Sequence, residues 1–227
     1  CKAIFVSKRL LKKLSQEVID KLTLVIDIET FDFIKKDDKA FTCEGHGVDP
    51  QADDLASIIY TSGTSGKAKG VMLSHRNFCQ NIIAAYHAQK AGKHDRWLSI
   101  LPMSHTYEMA FSVLYPLYVG GCVYYIQKPP TPSILMQTMK KVKPTIMCSV
   151  PLIIEKIYRD SIVPTIRKSP TLSWLDKNMN WLLCRLIGLK LRKTFGGKLD
   201  FFGIGGAKLD VEVEKFLLKA RFPYAVG

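Results

Sequence analysis

YTSGTSGKAKGV, residues 60–71, is the stretch that decides how the rest of this 227-residue chain is interpreted. It holds three glycines, four serine or threonine hydroxyls and two lysines within twelve residues. Glycines let backbone N–H groups turn towards an anion, hydroxyls add hydrogen-bond donors, and lysine adds a positive charge. The composition therefore predicts a loop that binds phosphate groups.

The segments on either side of this loop support that prediction. Residues 55–60, LASIIY, have the apolar character of a buried strand, and a helical pattern begins near Ser74 or Asn77. A strand, a glycine-rich loop and a helix in this order form a common phosphate-binding arrangement in α/β proteins. A flexible, solvated loop is the alternative that composition alone leaves open.

Two general loop motifs do not fit this stretch. A Walker loop requires Gly-Lys followed by Ser or Thr, whereas Lys67 is followed by Ala68. A nucleophile elbow requires glycine two residues on either side of a serine, whereas Ser65 has Gly63 before it and Lys67 after it. The loop is therefore of another type.

The composition describes a globular protein, with 47% apolar residues and a net charge of +13. That charge favours anionic partners such as nucleotides, phosphate groups, CoA or a membrane surface. No nucleic-acid motif accompanies it, and we predict no nucleic-acid partner. The six cysteines have no metal-binding spacing, so we predict buried, reduced thiols in a cytoplasmic protein and no metal site within this chain.

Residues 109–127 carry no Asp, Glu, Lys, Arg or His, which raises a membrane-spanning helix as one interpretation. Pro116 and the pair Gly120-Gly121 interrupt this run, and residues 122–126 have strand character. We therefore predict a buried helix, a turn and a buried strand.

The alternation of strands and helices predicts the α/β class, with doubly wound, mostly parallel sheets and flanking helices. Residues 1–50 are expected to end a first βαβ-like subdomain, and residues 51–227 to form a subdomain that contains the phosphate loop. Helices 152–166 and 172–191 have basic outer faces. These faces are either solvated or make a peripheral membrane contact through residues 152–198. The predicted strands are 3–6, 22–28, 55–60, 97–101, 122–126, 145–150 and 199–204, and the other predicted helices are 10–18, 77–90, 132–142 and 211–220.

Two further segments follow predicted strands directly. His105 comes after strand 97–101, and Gly205, Gly206 and Ala207 come after strand 199–204. In an open α/β sheet, ligand contacts gather at the carboxyl ends of the strands, and paired glycines let a flat ligand approach the backbone. From the residues alone, a helix-capping or packed histidine is an equally open interpretation of His105, and a tight strand–helix turn is the favoured interpretation of the glycines.

In their order along the chain, these segments resemble the motifs of the adenylate-forming (AMP-forming) acyl-CoA synthetase and ligase superfamily. YTSGTSGKAKGV resembles its phosphate loop, which usually has Thr at position 65 and Pro at position 68. LPMSHTYE, residues 101–108, resembles the LPLSHVYE-type segment of the long-chain members. GGAKLD, residues 205–210, matches a GGA-x-L segment, although Gly203-Ile204 stands where Ile-Ser is commoner.

The resemblance implies part of the large N-terminal domain of the adenylate-forming fold, from a long-chain fatty-acid–CoA ligase. Such an enzyme activates a fatty acid with ATP to acyl-AMP and passes it to CoA, with Mg²⁺ as cofactor. It implies that Lys69 and His105 take part in catalysis. It also implies a set of residues around the nucleotide and acyl chain: Thr61, Ser62, Gly63, Thr64, Ser65, Gly66, Lys69, Gly205, Gly206 and Ala207. The alternatives are a non-catalytic nucleotide- or membrane-binding module, or a ligase for a medium-chain or aryl acid.

The resemblance also implies that parts of the site lie outside this chain. In the family, a Tyr-Gly-x-Thr-Glu segment with a magnesium-binding Glu follows at the position where Gly227 ends the sequence. The ribose-binding Asp, the hinge and a lysine of a C-terminal domain come later still. We therefore expect the full-length parent, and not this chain alone, to catalyse ATP–pyrophosphate exchange with a long-chain fatty acid.

Overall fold

The structure is a computed structural model that describes residues 2–37, 49–61, 68–126 and 130–227. The α/β class is confirmed, because helices flank a five-stranded parallel sheet. The chain separates into two compact units, Cys1–Asp49 and Pro50–Gly227.

The first unit contains a three-stranded sheet in the order β1-β2-β3. Strands β1 and β2 pair in parallel around two short helices, as the predicted βαβ pattern requires, and β3 adds an antiparallel strand. β3 was not predicted, because its residues are mostly exposed and its sequence FIKK has little apolar alternation. The elements are β1 Ala3–Val6, α1 Lys8–Leu11, α2 Gln16–Asp20, β2 Leu24–Asp27 and β3 Phe33–Lys36.

The second unit begins with a hairpin of β4 (Leu55–Thr61) and β5 (Lys69–Ser74), followed by helix α3 (His75–Ala88). The predicted strand–loop–helix order is therefore wrong, because an antiparallel strand stands between the loop and the helix. The prediction that β4 is buried is also wrong, since most of its residues are exposed. Short apolar runs such as Val71–Leu73 do not reveal from sequence whether they belong to a strand or to a helix.

The main sheet has five parallel strands in the order β10-β9-β8-β6-β7. Its middle strand β8 is buried along its whole length, as expected of a strand covered on both sides. β7 is an edge strand with mostly exposed residues, so the prediction of a buried strand at 122–126 is wrong. The strands are β6 Arg96–Ser99, β7 Cys122–Tyr125, β8 Ile146–Ser149, β9 Phe201–Ile204 and β10 Tyr224–Val226.

The helices of the second unit interleave with these strands. Two π-helical segments, Met109–Leu114 and Tyr158–Ile162, continue α4 and α7. Within the described residues, no helix has both the length and the apolar content to cross a membrane. The helices are α4 Thr106–Glu108, α5 Tyr115–Val119, α6 Pro132–Val142, α7 Pro151–Ile157, α8 Val163–Lys168, α9 Pro170–Asn178, α10 Asn180–Thr194 and α11 Val211–Ala220.

Both faces of the main sheet are covered, which confirms a doubly wound arrangement. Two adjacent residues of β6 show this, because Trp97 and Leu98 belong to two different clusters of buried apolar residues. Successive side chains of a strand point to opposite faces. The Trp97 cluster includes residues of α3 and α5, and the Leu98 cluster includes residues of α6, α7, α10 and α11.

The strand order reverses between β6 and β8. From β6 the chain moves outward to β7 on one side, and from β8 it moves to β9 and β10 on the other side. At such a reversal, the carboxyl ends of the two strands leave a crevice in which open α/β sheets bind ligands. The fold therefore marks the carboxyl ends of β6 and β8 as a candidate site.

Candidate functional site

His105 lies at this reversal, six residues after β6 ends, and precedes the first turn of α4. Its backbone N–H donates to the carbonyl of Pro102 over 3.1 Å, and its carbonyl accepts from the N–H of Met109 over 2.9 Å. The residue is exposed, and its side chain makes no capping hydrogen bond to the helix. The backbone is therefore fixed while the imidazole faces solvent.

Glu108 holds the His105 segment through hydrogen bonds to residues at and just after the end of β6. Its side chain is wholly buried, and its Oε1 atom accepts hydrogen bonds from the Ser99 hydroxyl at 2.6 Å and from the backbone N–H of Leu101 at 3.4 Å. Burial raises the pKa of this carboxyl, and the hydrogen bond from Ser99 opposes that rise. Its other oxygen, Oε2, has no hydrogen-bond partner among the described residues. Glu108 thus ties the His105 segment to the end of β6.

Tyr107 connects the His105 segment to β9. A Cβ atom added to Gly203 would lie 2.7 Å from the Tyr107 hydroxyl oxygen, and one added to Gly205 would lie 3.1 Å from the Tyr107 ring. Both glycines therefore allow the tyrosine to lie directly against the β9 backbone. Burial raises the pKa of Tyr107, and the neighbouring Cys148 adds to the rise. Tyr107 is consequently a neutral phenol at physiological pH.

The residues after β9 lie at the carboxyl ends of the strands, as His105 does, because β9 is the parallel neighbour of β8 and β8 is the parallel neighbour of β6. The backbone N–H of Gly205 donates to the carbonyl of Ser149 over 3.0 Å, which fixes the end of β9 to the end of β8. Gly206 has a φ of +87°, a conformation that L side chains rarely adopt. Gly206 and Ala207 are exposed. The structure therefore brings these three residues and His105 to one edge of the sheet.

The predicted phosphate loop connects the two strands of the separate hairpin sheet. Thr61 ends β4 and Lys69 begins β5, and the two residues are directly opposite each other in the antiparallel register. Lys69 is exposed and forms no ion pair with any residue that the structure describes. The other five loop residues of the prediction, Ser62, Gly63, Thr64, Ser65 and Gly66, lie outside the described residues.

The cysteines are only partly as predicted. Cys148 and Cys184 are buried thiols, whereas Cys79 and Cys122 are exposed, and Cys1 and Cys43 lie outside the described residues. Burial raises the pKa of Cys148 to about 12. This thiol is therefore protonated at neutral pH, the form in which a cysteine is a poor nucleophile.

Sequence reasoning assigned no role to Tyr107 or Glu108. A signal was present for Glu108, which is the only carboxylate between Asp95 and Glu155 and immediately precedes the uncharged run 109–127. An isolated acid in such surroundings is either exposed or held by specific hydrogen bonds. Tyr107 gave no such signal, because its contacts with Gly203 and Gly205 depend on which strands become neighbours.

We expect Gly203→Ala to lower the free energy of unfolding by about 1–3 kcal/mol, the usual range for overpacking. The added methyl group would lie 2.7 Å from the Tyr107 hydroxyl oxygen, so Tyr107 or β9 must shift. Gly92→Ala is the matched control, because nothing lies within 4 Å of its added methyl group and its φ is not positive. Urea denaturation of both variants checks this prediction. Equal stability of the two variants would contradict the described contact.

The family model described as "AMP-binding enzyme" matches residues 1–225. Long-chain-fatty-acid–CoA ligase 4 of Saccharomyces cerevisiae is 31% identical over 96% of this chain and 34% of its own length. Long chain acyl-CoA synthetase 6, peroxisomal, of Arabidopsis thaliana is 31% identical over 74% of this chain and 26% of its own length. The chain thus spans roughly a quarter to a third of these relatives.

Solved structures show the same fold. ATP-bound MatB from Rhodopseudomonas palustris aligns with a TM-score of 0.67 and 19% identity, over 100% of this chain and 40% of that chain. The N-terminal domain of FACL13 from Mycobacterium tuberculosis aligns with a TM-score of 0.57 and 20% identity, over 80% of this chain and 38% of that chain. With the family match over almost its whole length, the chain belongs to the AMP-binding enzyme family.

Proposed function

We propose that the full-length protein containing this chain is an ATP-dependent, AMP-forming ligase that joins long-chain fatty acids to CoA. The observation that carries the proposal is the position of His105 and of Gly205, Gly206 and Ala207 at the same carboxyl edge of the sheet, beside the reversal of strand order. Membership of the AMP-binding family supports the use of ATP. The relatives named as long-chain ligases support the class of acid.

The proposed reaction has two transfers. A carboxylate oxygen of the fatty acid attacks the α-phosphorus of ATP, and pyrophosphate leaves as the bond to its bridging oxygen breaks. The CoA thiolate then attacks the acyl carbonyl carbon, and AMP leaves with the electrons of the broken C–O bond. In both steps, positioning of the reactants and neutralisation of phosphate charge supply most of the rate.

The phosphate loop would bind the β- and γ-phosphates. We assign this role to Thr61, Ser62, Gly63, Thr64, Ser65 and Gly66, through backbone N–H groups and hydroxyls, with Lys69 as the cation. The position of Lys69 supports the assignment, because Lys69 is the first residue of the strand that follows the loop and its side chain is exposed. A lysine without an ion-pair partner keeps its charge available for phosphate.

His105 and the residues after β9 would hold the other reactants. We assign the carboxylate of the fatty acid to His105, whose exposed imidazole stands on a segment fixed by Glu108. Gly205, Gly206 and Ala207 would line the adenine and the start of the acyl chain. Gly206 and Ala207 are exposed, and none of the three side chains is larger than a methyl group. Tyr107 would hold these three residues in place by packing against Gly205.

Magnesium accompanies ATP in the proposed reaction. The described residues contain no group of three or more His, Cys, Asp or Glu side chains that could hold a metal ion. Mg²⁺ that accompanies a nucleotide is usually held by the phosphates and one or two carboxylates, and its ligands would come from ATP and from other parts of the full-length protein. We assign no step to the ion.

The proposal includes a cytoplasmic protein that contacts a membrane surface peripherally. The free thiols of Cys79, Cys122, Cys148 and Cys184 support a reducing compartment. The basic residues between 152 and 198 support contact with an anionic surface. Fatty acids partition into membranes, so such contact would place the enzyme beside its substrate.

The test measures acyl-CoA formation by the purified full-length protein with ATP, CoA and one acid at a time. We expect palmitate to give a higher kcat/KM than octanoate or benzoate, because a long alkyl chain offers more apolar surface to bury. A preference for octanoate or benzoate would assign the protein to medium-chain or aryl acids. Failure to form product with every acid, while ATP still binds, would favour a non-catalytic binding module.

A further inference from the structure

Helix α10 has apolar residues on both its inner and its outer side. On the inner side, Leu183, Cys184, Gly188 and Leu191 are buried. The close crossing with α11 fixes this orientation, because a Cβ atom added to Gly188 would lie 2.4 Å from the carbonyl oxygen of Ala220. The helix therefore cannot turn its outer side inward.

The outer side carries three large apolar side chains in solvent. Trp181 is 63% exposed, Leu186 is 51% exposed and Leu189 is 63% exposed. A single exposed leucine is normal in a folded protein. Three large apolar residues within nine positions of one helix are unusual on a solvated face, which normally carries polar side chains.

The remaining outer residues are basic. Arg185 is half-buried, and Lys190 and Lys193 are exposed. Helix α10 contains no acidic residue, and these three cations form no ion pair with any residue in the described part of the chain. Residues three or four apart adjoin on a helix, so Leu186 adjoins Lys190, and Leu189 adjoins both Arg185 and Lys193.

The helices packed against α10 do not neutralise this charge. Asp176 of α9 accepts a hydrogen bond from the side-chain amide of Asn180, at the start of α10. Lys219 of α11 donates a hydrogen bond to the Oδ1 atom of Asn180 over 2.7 Å. Helix α6 adds the exposed Lys140 and Lys141 in its last turn and contains no acidic residue. Helix α11 carries Glu212 and Glu214 in its first turn and Lys219 in its last turn, and neither glutamate forms an ion pair with the described residues of α10.

We propose that the outer face of α10 binds the surface of an anionic phospholipid bilayer. Tryptophan and leucine enter the boundary between headgroups and acyl chains, while lysine and arginine contact anionic headgroups. A covering protein segment would need several acidic groups to match the same cations, whereas an anionic bilayer supplies them everywhere. This inference rests on the membrane contact of the proposed function and names the surface that makes it. It does not depend on the proposed reaction, because it uses only the exposure and charge of α10.

The test is flotation of the full-length protein with vesicles, without ATP, fatty acid or CoA. One set of vesicles is phosphatidylcholine alone, and the other is phosphatidylcholine mixed with phosphatidylserine. We expect binding to the mixed vesicles to exceed binding to phosphatidylcholine. We also expect it to weaken as ionic strength rises from about 0.1 M to about 1 M, where the Debye length falls from about 10 Å to about 3 Å.

Two double variants locate the binding surface. Lys190→Glu with Lys193→Glu should lower the partition coefficient on mixed vesicles by at least about 25-fold, since each lysine near an anionic surface contributes roughly a factor of five. Leu186→Ser with Leu189→Ser should lower it by at least about tenfold. The matched charge control is Lys90→Glu with Lys93→Glu. These lysines have the same spacing and follow α3, which packs on the opposite face of the sheet.

The inference is supported if both α10 variants lose binding and the control variant keeps it. It is overturned if the wild-type protein does not float with mixed vesicles, or if both α10 variants bind as the wild type does. It is also overturned if the leucine variant lowers the unfolding temperature without vesicles and leaves vesicle binding unchanged. That result would assign the outer face to another part of the protein.

Discussion

Lys69→Ala in the full-length protein should reduce fatty-acid-dependent ATP–pyrophosphate exchange by about 100- to 1,000-fold, as expected when a group that stabilises charge in the transition state is removed. The lysine is exposed, begins the strand that leaves the phosphate loop and has no ion-pair partner among the described residues. Its charge is therefore available to the pyrophosphate group as that group leaves. Exchange kinetics measured at saturating fatty acid check the prediction.

Lys141→Ala is the matched control for Lys69→Ala. Lys141 is an exposed lysine in the last turn of α6, and α6 leads into β8, so this end of the helix lies at the amino edge of the sheet. We expect exchange within about twofold of the wild type for this variant, as for most surface changes. If Lys69→Ala kept wild-type exchange, the role assigned to Lys69 at the phosphates would be contradicted. If the wild type showed no fatty-acid-dependent exchange and Lys69→Ala only weakened vesicle binding, the non-catalytic module would replace the ligase as the function.

Glu108→Ala should lower the free energy of unfolding by about 2–4 kcal/mol. The change leaves the buried Ser99 hydroxyl without the carboxylate oxygen at 2.6 Å and opens a cavity under the His105 segment. Glu108→Gln keeps the shape and one acceptor oxygen, so we expect it to cost about 1 kcal/mol or less at neutral pH. Urea denaturation of the wild type and both variants checks these values.

The free energy of unfolding should depend on pH, because the protonated and the ionised carboxyl of Glu108 differ in how well the buried site accommodates them. Burial raises the pKa of this carboxyl, so the folded protein binds its proton more tightly than the unfolded chain does. Wild-type stability relative to Glu108→Gln is therefore highest below the unfolded pKa of about 4.3 and falls as pH rises from there through the folded pKa. A wild type that gained stability relative to Glu108→Gln over this range would contradict the buried position.

Local sequence signals were sufficient for some helices. The observed bounds of α6 and α11 equal the predicted bounds, because each helix begins with a side-chain cap. Thr131 accepts from the N–H of Ile134, and Asp210 accepts from the N–H groups of Glu212 and Val213. Both capping residues belong to types that favour helix starts, so the sequence itself carries the boundary.

Other boundaries depended on the tertiary structure. The predicted helix 172–191 is divided at Met179, whose φ of −141° and ψ of 47° are not helical, although no proline or glycine marks the position. β5 carries an apolar run that suits either a strand or a helix, and its pairing with β4 decides the outcome.

The candidate site could be predicted in position but not in detail. Residues that follow parallel strands lie at one edge of a sheet, which is why His105 and Gly205 could be selected from the sequence. The strand order that makes β6, β8 and β9 neighbours arises from long-range pairing, which no local pattern encodes. The contacts of Tyr107 with Gly203 and Gly205 follow from that order and became visible only in the structure.

ATP–pyrophosphate exchange by the full-length protein, measured with and without palmitate, tests the proposed ligase activity most directly. Exchange reports formation of acyl-AMP and needs no CoA, so it isolates the step in which the phosphate loop and His105 would act. We expect exchange that requires palmitate and is lost in Lys69→Ala. No palmitate-dependent exchange from a folded protein that binds ATP would contradict the proposed function.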